Sequence, residues 1–261
     1  MKVIAVVNNK GGVGKTFTSV NLAVKLAAKG PTIAIDNDSQ GNLSSFFAVP
    51  EQKAMNTTAS LYKATPFISG FQAYARYTLE SEDREPVENL FVSTACEDLA
   101  GLQRNCDSST IFNLSSAIKK AGDEYEYCVI DCPPGKGVAQ EMALYAADII
   151  LVPMAPETPS IDAVNILIGT LNKIAGHRQS QPLVKIFLNA TEHKSRILTS
   201  EIKQVMMNKY PDLMSVTEVP KQQAFFNASS YLFPITTYSK ITRNSSRASA
   251  ALDLLIKELG I

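Results

Sequence analysis

A glycine-rich segment near the start of the chain has the residue types that hold a phosphate group. Its sequence is Lys10-Gly11-Gly12-Val13-Gly14-Lys15-Thr16-Phe17. Glycines let the backbone curl so that successive N–H groups point at phosphate oxygens, and a following helix adds the partial positive charge of its N-terminus. Lys15 can reach the β- and γ-phosphates, and the Thr16 hydroxyl can ligate Mg²⁺. The segment therefore predicts a site for a nucleoside triphosphate with Mg²⁺.

This loop departs from the general phosphate-binding pattern at its first position. Where the pattern has its first glycine, this chain has Asn9. A second lysine, Lys10, precedes the paired glycines. The loop is therefore a variant in which lysines stand on both sides of the glycines.

Three aspartates are expected close to this loop. Asp36 and Asp38 follow an apolar run at 32–35, and Asp131 follows another at 127–130. In an open α/β sheet, residues just beyond the carboxyl end of a strand face the crevice where ligands bind. A carboxylate at position 131 can hold the Mg²⁺ hydration shell. Three acids beside one phosphate loop are stronger evidence for a nucleotide site than the loop alone.

Short apolar runs alternate with helical patterns along the chain. The apolar runs predict strands at 3–7, 32–35, 90–93, 127–130, 149–152, 184–188 and 216–219. The helical periodicity predicts helices at 16–29, 110–121, 139–146, 161–175, 196–210 and 245–259. Continuous apolar runs suit strands that are buried on both faces. The alternation predicts an α/β fold: a doubly wound, mainly parallel sheet with helices on both faces.

The interval 49–89 breaks this alternation. It offers a short helix at most, followed by a charged run that contains Glu80, Glu82, Asp83, Arg84, Glu85 and Glu88. Such a run is typical of a solvated surface loop. We therefore expect a single P-loop domain over residues 1–261, with a surface insertion at about 49–89.

The amino-acid composition limits the cellular compartments and the binding partners that suit this chain. Of the 261 residues, 45% are hydrophobic, and 25 basic residues balance 25 acidic ones. Any affinity for nucleic acid or a membrane must then come from a local patch. The 4 cysteines have no regular spacing, which predicts reduced thiols in the cytoplasm rather than a disulfide framework. We expect neither a secretory signal nor a membrane-spanning stretch.

Three motifs in order resemble those of the ParA/Soj partition ATPases, a family of the MinD superfamily with a deviant Walker A loop. They are the lysine-flanked loop, the run Asp36-Asn37-Asp38-Ser39-Gln40-Gly41-Asn42, and Asp131-Cys132-Pro133-Pro134. Further similarity lies at Val152-Pro153, Asn189 and Val219-Pro220-Lys221. The resemblance covers nearly the whole chain outside 49–89, and three motifs at these spacings are highly specific.

The resemblance implies a switch that binds ATP or ADP with Mg²⁺ and hydrolyses ATP weakly without a partner. Two ATP molecules would lie between the subunits of a homodimer. Lys10 would reach the other subunit's phosphates, Lys15 would contact its own, and Asp38 would position the attacking water. The implied metal site comprises Thr16, Asp36 and Asp131.

The resemblance also implies the remaining nucleotide contacts. Asn189 matches a position that contacts adenine, and Pro220-Lys221 forms the loop beyond it. With these, the expected nucleotide-binding residues are Gly11, Gly12, Val13, Gly14, Lys15, Thr16, Phe17, Asn189, Pro220 and Lys221. The segment Gly135-Lys136-Gly137 would be the second switch. Two departures stand out: Ser39 replaces the usual proline, which makes the first switch less rigid, and Phe17 replaces a small hydroxyl residue.

Partition ATPases of this kind bind DNA without sequence preference in the ATP state, and a ParB-like or adaptor protein stimulates hydrolysis. Arg196 and Lys221 resemble the family's DNA-contacting positions, while a second arginine of the family's loop is missing. The basic residues that could compensate are Lys203, Arg243 and Arg247. Each of these residues suits a merely solvated surface as well. We expect a cytoplasmic, nucleoid-associated protein that positions a plasmid, a chromosome locus or a protein cargo.

Three other functions remain open at this point. A MinD-like membrane switch needs a basic amphipathic C-terminal helix, whereas residues 251–261 carry mixed charges and suit a packed closing helix; no membrane partner is expected. An iron–sulfur reductase needs thiolate ligands, for which Cys96 and Cys132 are the candidates. A metabolic P-loop enzyme needs a pocket for a small substrate, which the sequence does not identify.

Overall fold

The computed structural model describes residues 1–47, 57–68, 70–77, 83–122, 124–191, 196–242 and 246–261. Its strands, in chain order, are β1 Lys2–Val6, β2 Thr32–Asp36, β3 Phe71–Arg76, β4 Arg84–Ser93, β5 Tyr127–Asp131, β6 Ile149–Met154, β7 Leu183–Thr191 and β8 Met214–Pro220. Within the described residues they form one sheet in the order β3-β4-β2-β5-β1-β6-β7-β8. Only the β3–β4 pair of this sheet is antiparallel. The predicted α/β fold with a mainly parallel sheet is confirmed.

The helices connect these strands and cover the sheet. They are α1 Lys15–Ala27, α2 Asn42–Phe46, α3 Leu99–Arg104, α4 Asn113–Ala121, α5 Val138–Ala146, α6 Thr158–Ala175, α7 Arg196–Lys209, α8 Gln223–Ser230, α9 Ile235–Thr242 and α10 Arg247–Glu258. Short 3₁₀ helices span Thr58–Tyr62 and Ser108–Phe112. Sequence analysis did not predict α2, α3, α8 and α9, which are short and begin or end in polar loops.

Two hydrophobic cores lie on opposite faces of the sheet because successive strand residues point to opposite sides. Val3 and Ala5 of β1 belong to one core, which α4, α5, α6 and α7 cover. Ile4 and Val6 belong to the other, which α1 and α10 cover. Helices on both faces are what a doubly wound sheet requires, and the central strand β2 is buried along its whole length.

Local chemistry explains where several helices differ from their predicted bounds. The helix expected from residue 110 begins as α-helix only at Asn113, because the Asp107 carboxylate accepts hydrogen bonds from the Ser109 and Thr110 N–H groups and starts a 3₁₀ turn. Helix α6 begins at Thr158, earlier than predicted, with a proline in its first turn, where proline is pre-organised for a helix. Helix α10 is capped by the Ser246 hydroxyl, which accepts from the Ser249 N–H at 3.1 Å.

The expectation of a short helix at most in 49–89 is wrong for the part that the structure describes. Strand β3 and the first half of β4 form an antiparallel pair there. Inward-facing Ala73 and Ala75 of β3 are buried, and alanine carries little strand preference, so the alternation was hard to detect. Glu80 and Glu82 lie outside the described residues, whereas Glu85 and Glu88 are exposed on β4. That the interval is an insertion stays a prediction.

Candidate functional site

The glycine loop joins β1 to α1 at the carboxyl edge of the sheet. Gly12 and Gly14 have φ angles of 73° and 87°, a left-handed conformation that glycine adopts without strain. A side chain at Gly14 would also collide with Asn189, whose Nδ2 lies 2.3 Å from the ideal Cβ position. That Nδ2 donates to the Val13 carbonyl at 2.7 Å. The loop is therefore packed directly against the end of β7.

Asn9, which replaces the first glycine of the general pattern, ties the loop to its surroundings. Its carbonyl accepts from the Gly135 N–H at 2.9 Å. Its side-chain oxygen accepts from Gln140 Nε2 at 2.9 Å, and its Nδ2 donates to the Ala163 carbonyl at 3.2 Å. The departure from glycine thus links the phosphate loop to the predicted second switch, to α5 and to α6.

Lys15 lies at the first position of α1 and is only 7% exposed. Its ammonium group donates to the Lys10 carbonyl at 2.9 Å, which folds the side chain back along the loop. Burial lowers the pKa of Lys15, and the nearby Asp131 carboxyl opposes this effect. A buried cation at the head of a helix is suited to an anionic ligand.

Asp131 ends β5 and is fully buried between two strand ends. It is in register with Val6 of β1 and Asp36 of β2. One carboxylate oxygen accepts from the Ser19 hydroxyl at 2.8 Å, while Oδ2 has no hydrogen-bond partner among the described residues. Burial, with a contribution from Asp36, raises the pKa of Asp131 to about 7. An unpartnered buried carboxylate oxygen fits a divalent cation, directly or through water.

Asp36 and Asp38 sit on either side of one residue and are held differently. Asp36 Oδ2 accepts from both the N–H and the hydroxyl of Ser44, at 2.7 and 2.6 Å. Burial nevertheless raises the pKa of Asp36 to about 6. Asp38 lines the nucleotide cavity and accepts from the Gln40 N–H at 3.0 Å. The structure therefore brings all three predicted aspartates to the same edge of the sheet.

Lys10 forms an ion pair that the sequence did not predict. Its Nζ lies 2.6 Å from Oε1 of Glu157, which immediately precedes α6. The two side chains are 27% and 47% exposed. Glu157 follows β6 by a few residues, so the strand-end argument used for the aspartates would have placed it here.

A cavity of about 930 Å³ lies at this edge of the sheet, and Lys15, Asp38 and Glu157 line it, whereas Lys10, Asp36 and Asp131 do not. Its lining from the predicted nucleotide-binding set comprises Gly11, Gly12, Gly14, Lys15, Thr16, Phe17, Asn189 and Lys221. Asn189 is buried, and its Oδ1 has no partner among the described residues, so an acceptor is available for a base amino group. Two residues of the predicted set are not part of the lining: Val13, which is buried, and Pro220, the last residue of β8. Gln222, Gln223, Ser229 and Ser230 extend the lining beyond the predicted residues.

The predicted DNA-contacting residues are spread over three elements. Arg196 begins α7, Arg247 begins α10 and is exposed, and Lys221 follows β8. Lys203 pairs with Glu218 at 2.6 Å, which neutralises part of its charge. Arg243 lies outside the described residues. Among the described residues, these cations therefore lie on separate elements, and Lys203 is paired with Glu218.

The four cysteines are free thiols that lie in or against the same core. Cys128 and Cys132 are buried, and both belong to the core under α4–α7. Burial raises the pKa of the Cys132 thiol, which disfavours the thiolate that metal binding needs. Among the described residues no group of three His, Cys, Asp or Glu side chains is arranged to hold a metal ion by itself.

The fold and the site define a P-loop nucleotide-binding protein. A glycine loop begins a helix beside a mainly parallel sheet, and aspartates follow the neighbouring strands. The profile of the AAA domain family matches residues 1–186. Because this match spans more than half of the chain, the chain belongs to that family.

Relatives of known role extend the match over nearly the whole length of the chain. The chain is 27% identical over 241 residues to the chromosome-partitioning ATPase Soj of Treponema pallidum, covering 91% of this chain and 90% of that protein. It is 27% identical over 257 residues to the sporulation initiation inhibitor protein Soj of Bacillus subtilis, covering 97% and 96%. The resemblance to ParA/Soj-type partition ATPases is thereby confirmed.

Solved structures match the fold. A Cyanothece McdA–ATP complex superposes with a TM-score of 0.81 at 18% identity, covering 100% of this chain and 97% of the other. Cobyrinic acid a,c-diamide synthase from Mycobacterium smegmatis, with an ATP analogue and magnesium, gives 0.75 at 19% identity, covering 99% and 95%. At these identities the likeness establishes the architecture alone.

Proposed function

We propose that this chain is an ATP-dependent switch ATPase that dimerises around two ATP molecules, binds nonspecific DNA in that state, and positions a plasmid, chromosome locus or protein cargo. A ParB-like or adaptor protein stimulates hydrolysis and release. The observation that carries this proposal is the site itself: two loop lysines and three strand-end aspartates lie at one edge of the sheet, and Lys15 and Asp38 line the cavity there. The full-length similarity to the Soj proteins supports the choice of partition over other P-loop activities.

The residues present fit ATP with Mg²⁺. Thr16, Asp36 and Asp131 would hold the metal, which supplies charge neutralisation at the phosphates when bound. Asp131 Oδ2, which has no hydrogen-bond partner among the described residues, fits this role. Asn189 Oδ1, likewise without a partner in the described part of the chain, fits a base amino group, and the structural neighbours with ATP, or with an ATP analogue and magnesium, share this architecture.

Lys10 makes the proposed site dependent on a second copy of the chain. Its ammonium group pairs with Glu157 at the rim of its own cavity, whereas Lys15 lies inside the loop. In a face-to-face dimer, Lys10 would exchange Glu157 for the partner's phosphates. A cation there would stabilise the charge that develops during phosphoryl transfer.

The C-terminal helix does not favour the membrane alternative. Most large apolar residues of α10, among them Leu252, Leu255 and Ile256, are buried in the core that α1 shares, whereas Leu254 is exposed. An interfacial helix needs such a face free to enter the lipid. Among the described residues, no helix is both long and apolar enough to cross a bilayer.

Retention on nonspecific DNA tests the proposal. We expect the chain with ATP and Mg²⁺ to be retained at about 50 mM salt and largely released at about 200 mM, because phosphate contacts are strongly salt-dependent. With ADP, retention should be weak at both concentrations. The Lys10→Ala variant should lose ATP-dependent dimerisation and retention together. Equal retention with ATP and ADP, or an unaffected Lys10→Ala variant, would contradict the switch.

A further inference from the structure

A buried hydrogen-bond cluster lies behind the loop that carries Asp36 and Asp38. Its centre is Asn37, which is 1% exposed. Its members are Tyr62 of the Thr58–Tyr62 3₁₀ helix and Gln103 of α3. None of these three side chains belongs to the lining of the nucleotide cavity. The cluster therefore has to act on the site through the backbone.

Every polar atom of Asn37 has a partner. Its N–H donates to the Asp131 carbonyl at 2.9 Å, and its own carbonyl accepts from Gln103 Nε2 at 3.0 Å. Its Oδ1 accepts from the Tyr62 hydroxyl at 2.6 Å, and its Nδ2 donates to the Ala139 carbonyl at 2.8 Å. One residue thus connects the end of β5, α3, the 3₁₀ helix and the first turn of α5.

The surroundings of Tyr62 orient its hydroxyl group as a hydrogen-bond donor. Its hydroxyl also accepts from Gln103 Nε2 at 3.1 Å, which leaves its proton directed at Asn37. Burial raises the pKa of Tyr62, so the hydroxyl keeps this proton. The 3₁₀ helix is in turn anchored to β4: the Thr58 N–H donates to the Thr94 carbonyl at 2.8 Å, and its hydroxyl donates to the Ser93 carbonyl at 3.1 Å.

The position of Asn37 controls both neighbouring carboxylates. The Asp38 N–H donates to Asp36 Oδ1 at 3.3 Å, so the three consecutive residues form one connected turn. Through Ala139, the same turn is bonded to the helix that follows Gly135-Lys136-Gly137. A shift of Asn37 would therefore move Asp38 and the start of α5 together.

We infer that Tyr62, supported by Gln103, is a positioning residue that holds Asn37 and thereby aligns Asp38 and couples the two switch segments. This inference rests on the proposed function, in which Asp38 orients the attacking water. It also gives a role to part of the interval 49–89: the segment at 57–62 contacts the site from the core side.

Tyr62→Phe tests the inference because it removes one hydroxyl and keeps the ring. Leaving the buried Asn37 Oδ1 without its donor should lower kcat by about fivefold. The KM for ATP should stay within about twofold, since Tyr62 contacts no part of the cavity. The matched control is Tyr210→Phe, which removes a half-buried hydrogen bond of 2.9 Å from the Tyr210 hydroxyl to Asn165 of α6. The control should leave kcat unchanged.

A double-mutant cycle and hydrogen exchange complete the test. In an Asn37→Leu background, Tyr62→Phe should have little further effect on kcat, because the acceptor is already gone. In the nucleotide-free chain, Tyr62→Phe should raise amide exchange at both 36–42 and 138–142, whereas Tyr210→Phe should not. A kcat equal to that of the control, or independent effects in the cycle, would overturn the inference.

The exchange measurement separates this inference from the proposed function, because it requires neither ATP nor hydrolysis. If the parent chain does not hydrolyse ATP, the proposed function fails while linked exchange at the two segments still supports the coupling. If the parent hydrolyses ATP and the two segments exchange independently of Tyr62, the coupling fails and the proposed function stands.

Discussion

At the residue scale, the site contains buried carboxyl groups whose ionised forms are unfavourable without a nearby cation. Asp36 and Asp131 are buried at neighbouring strand ends, and the pKa values of both carboxyls are raised. Desolvation is the main cause for each; repulsion from Asp36 adds to it at Asp131, and repulsion from Asp38 adds to it at Asp36. The nucleotide-free site therefore carries electrostatic strain that a bound divalent cation would relieve.

The pH dependence of stability should reveal this strain. An acid whose pKa rises from 3.8 to about 7 on folding binds more protons in the folded state, so the fold loses stability as pH rises through that window. Asp131→Asn removes the effect, at about 1.4 kcal/mol per unit of pKa shift. Without nucleotide, the variant's Tm should exceed that of the parent by an amount that grows between about pH 4.5 and 7.5. A Tm difference that is constant over this range would show that Asp131 is not strained.

Asp38→Ala should separate binding from hydrolysis. The carboxylate lines the cavity, but its recorded hydrogen bond is to the Gln40 N–H, not to the phosphate loop. We expect ATP binding and dimerisation to persist while partner-stimulated kcat falls by about a hundredfold or more. The exposed Asp162 of α6 provides a control, since Asp162→Ala should change neither quantity. Full turnover in Asp38→Ala would remove Asp38 from the catalytic set.

Glu157→Gln should make Lys10 easier to recruit into a dimer. Under the proposed function, the ion pair at 2.6 Å would compete with the partner's phosphates, but both side chains are partly exposed, so the pair contributes about 0–1 kcal/mol. We expect the dimer Kd with a nonhydrolysable ATP analogue to fall by at most about fivefold, measured by sedimentation. Asp253→Asn, which breaks the Lys25–Asp253 pair at 2.7 Å, is the matched control. A weaker dimer in Glu157→Gln would mean that Glu157 aids assembly.

At the element scale, the loop after β8 joins the cavity to the last helix. Gln222 lines the cavity, and its Oε1 accepts from the Ala248 N–H at 3.0 Å and lies 3.3 Å from the Ser246 hydroxyl. A helix N-terminus leaves N–H groups without intrahelical partners, and this side chain satisfies one of them. The wall of the cavity thus also serves as a cap for α10.

Gln222→Ala should therefore destabilise α10. Loss of a capping acceptor costs about 1 kcal/mol, which lowers Tm by about 2–4 °C for a chain of this size. Gln204→Ala on α7, which removes only an exposed bond to Asn208, should shift Tm by less than about 1 °C. Thermal unfolding followed by circular dichroism measures both. Equal shifts in the two variants would show that the cap carries no stability.

The sequence allowed the elements with strong local signals to be predicted, and the structure shows why others were missed. The loop at 10–16 and the acids at 36, 38 and 131 lie beside apolar strands, so strand-end geometry places them together. Strand β3 turns small alanines inward and gives no comparable signal. Tyr62 reaches Asn37 across 25 positions of sequence, and no local pattern reports such a contact.

At the scale of the whole molecule, each of the two hydrophobic cores supports a different part of the proposed site. The core under α1 and α10 supports the phosphate loop, whereas the core under α4–α7 lies behind α5 and the second switch segment. Asn9 bridges the two, since it belongs to the loop and bonds to Gly135 and Gln140. Under the proposed function, nucleotide state can pass from one face of the sheet to the other through this residue.

Under the proposed function, the Lys10–Glu157 pair makes ATP turnover depend on the concentration of the protein itself. In a monomer, Lys10 is paired with Glu157 of the same chain, so the proposed site is incomplete until a second copy binds. Turnover per chain should then rise with total protein concentration, reach half its maximum near the dimer Kd and level off well above it, while Lys10→Ala should show a flat, low profile. Steady-state rates over a hundredfold concentration series measure this. On a surface that binds many copies, the turnover of each chain would therefore report the local protein concentration.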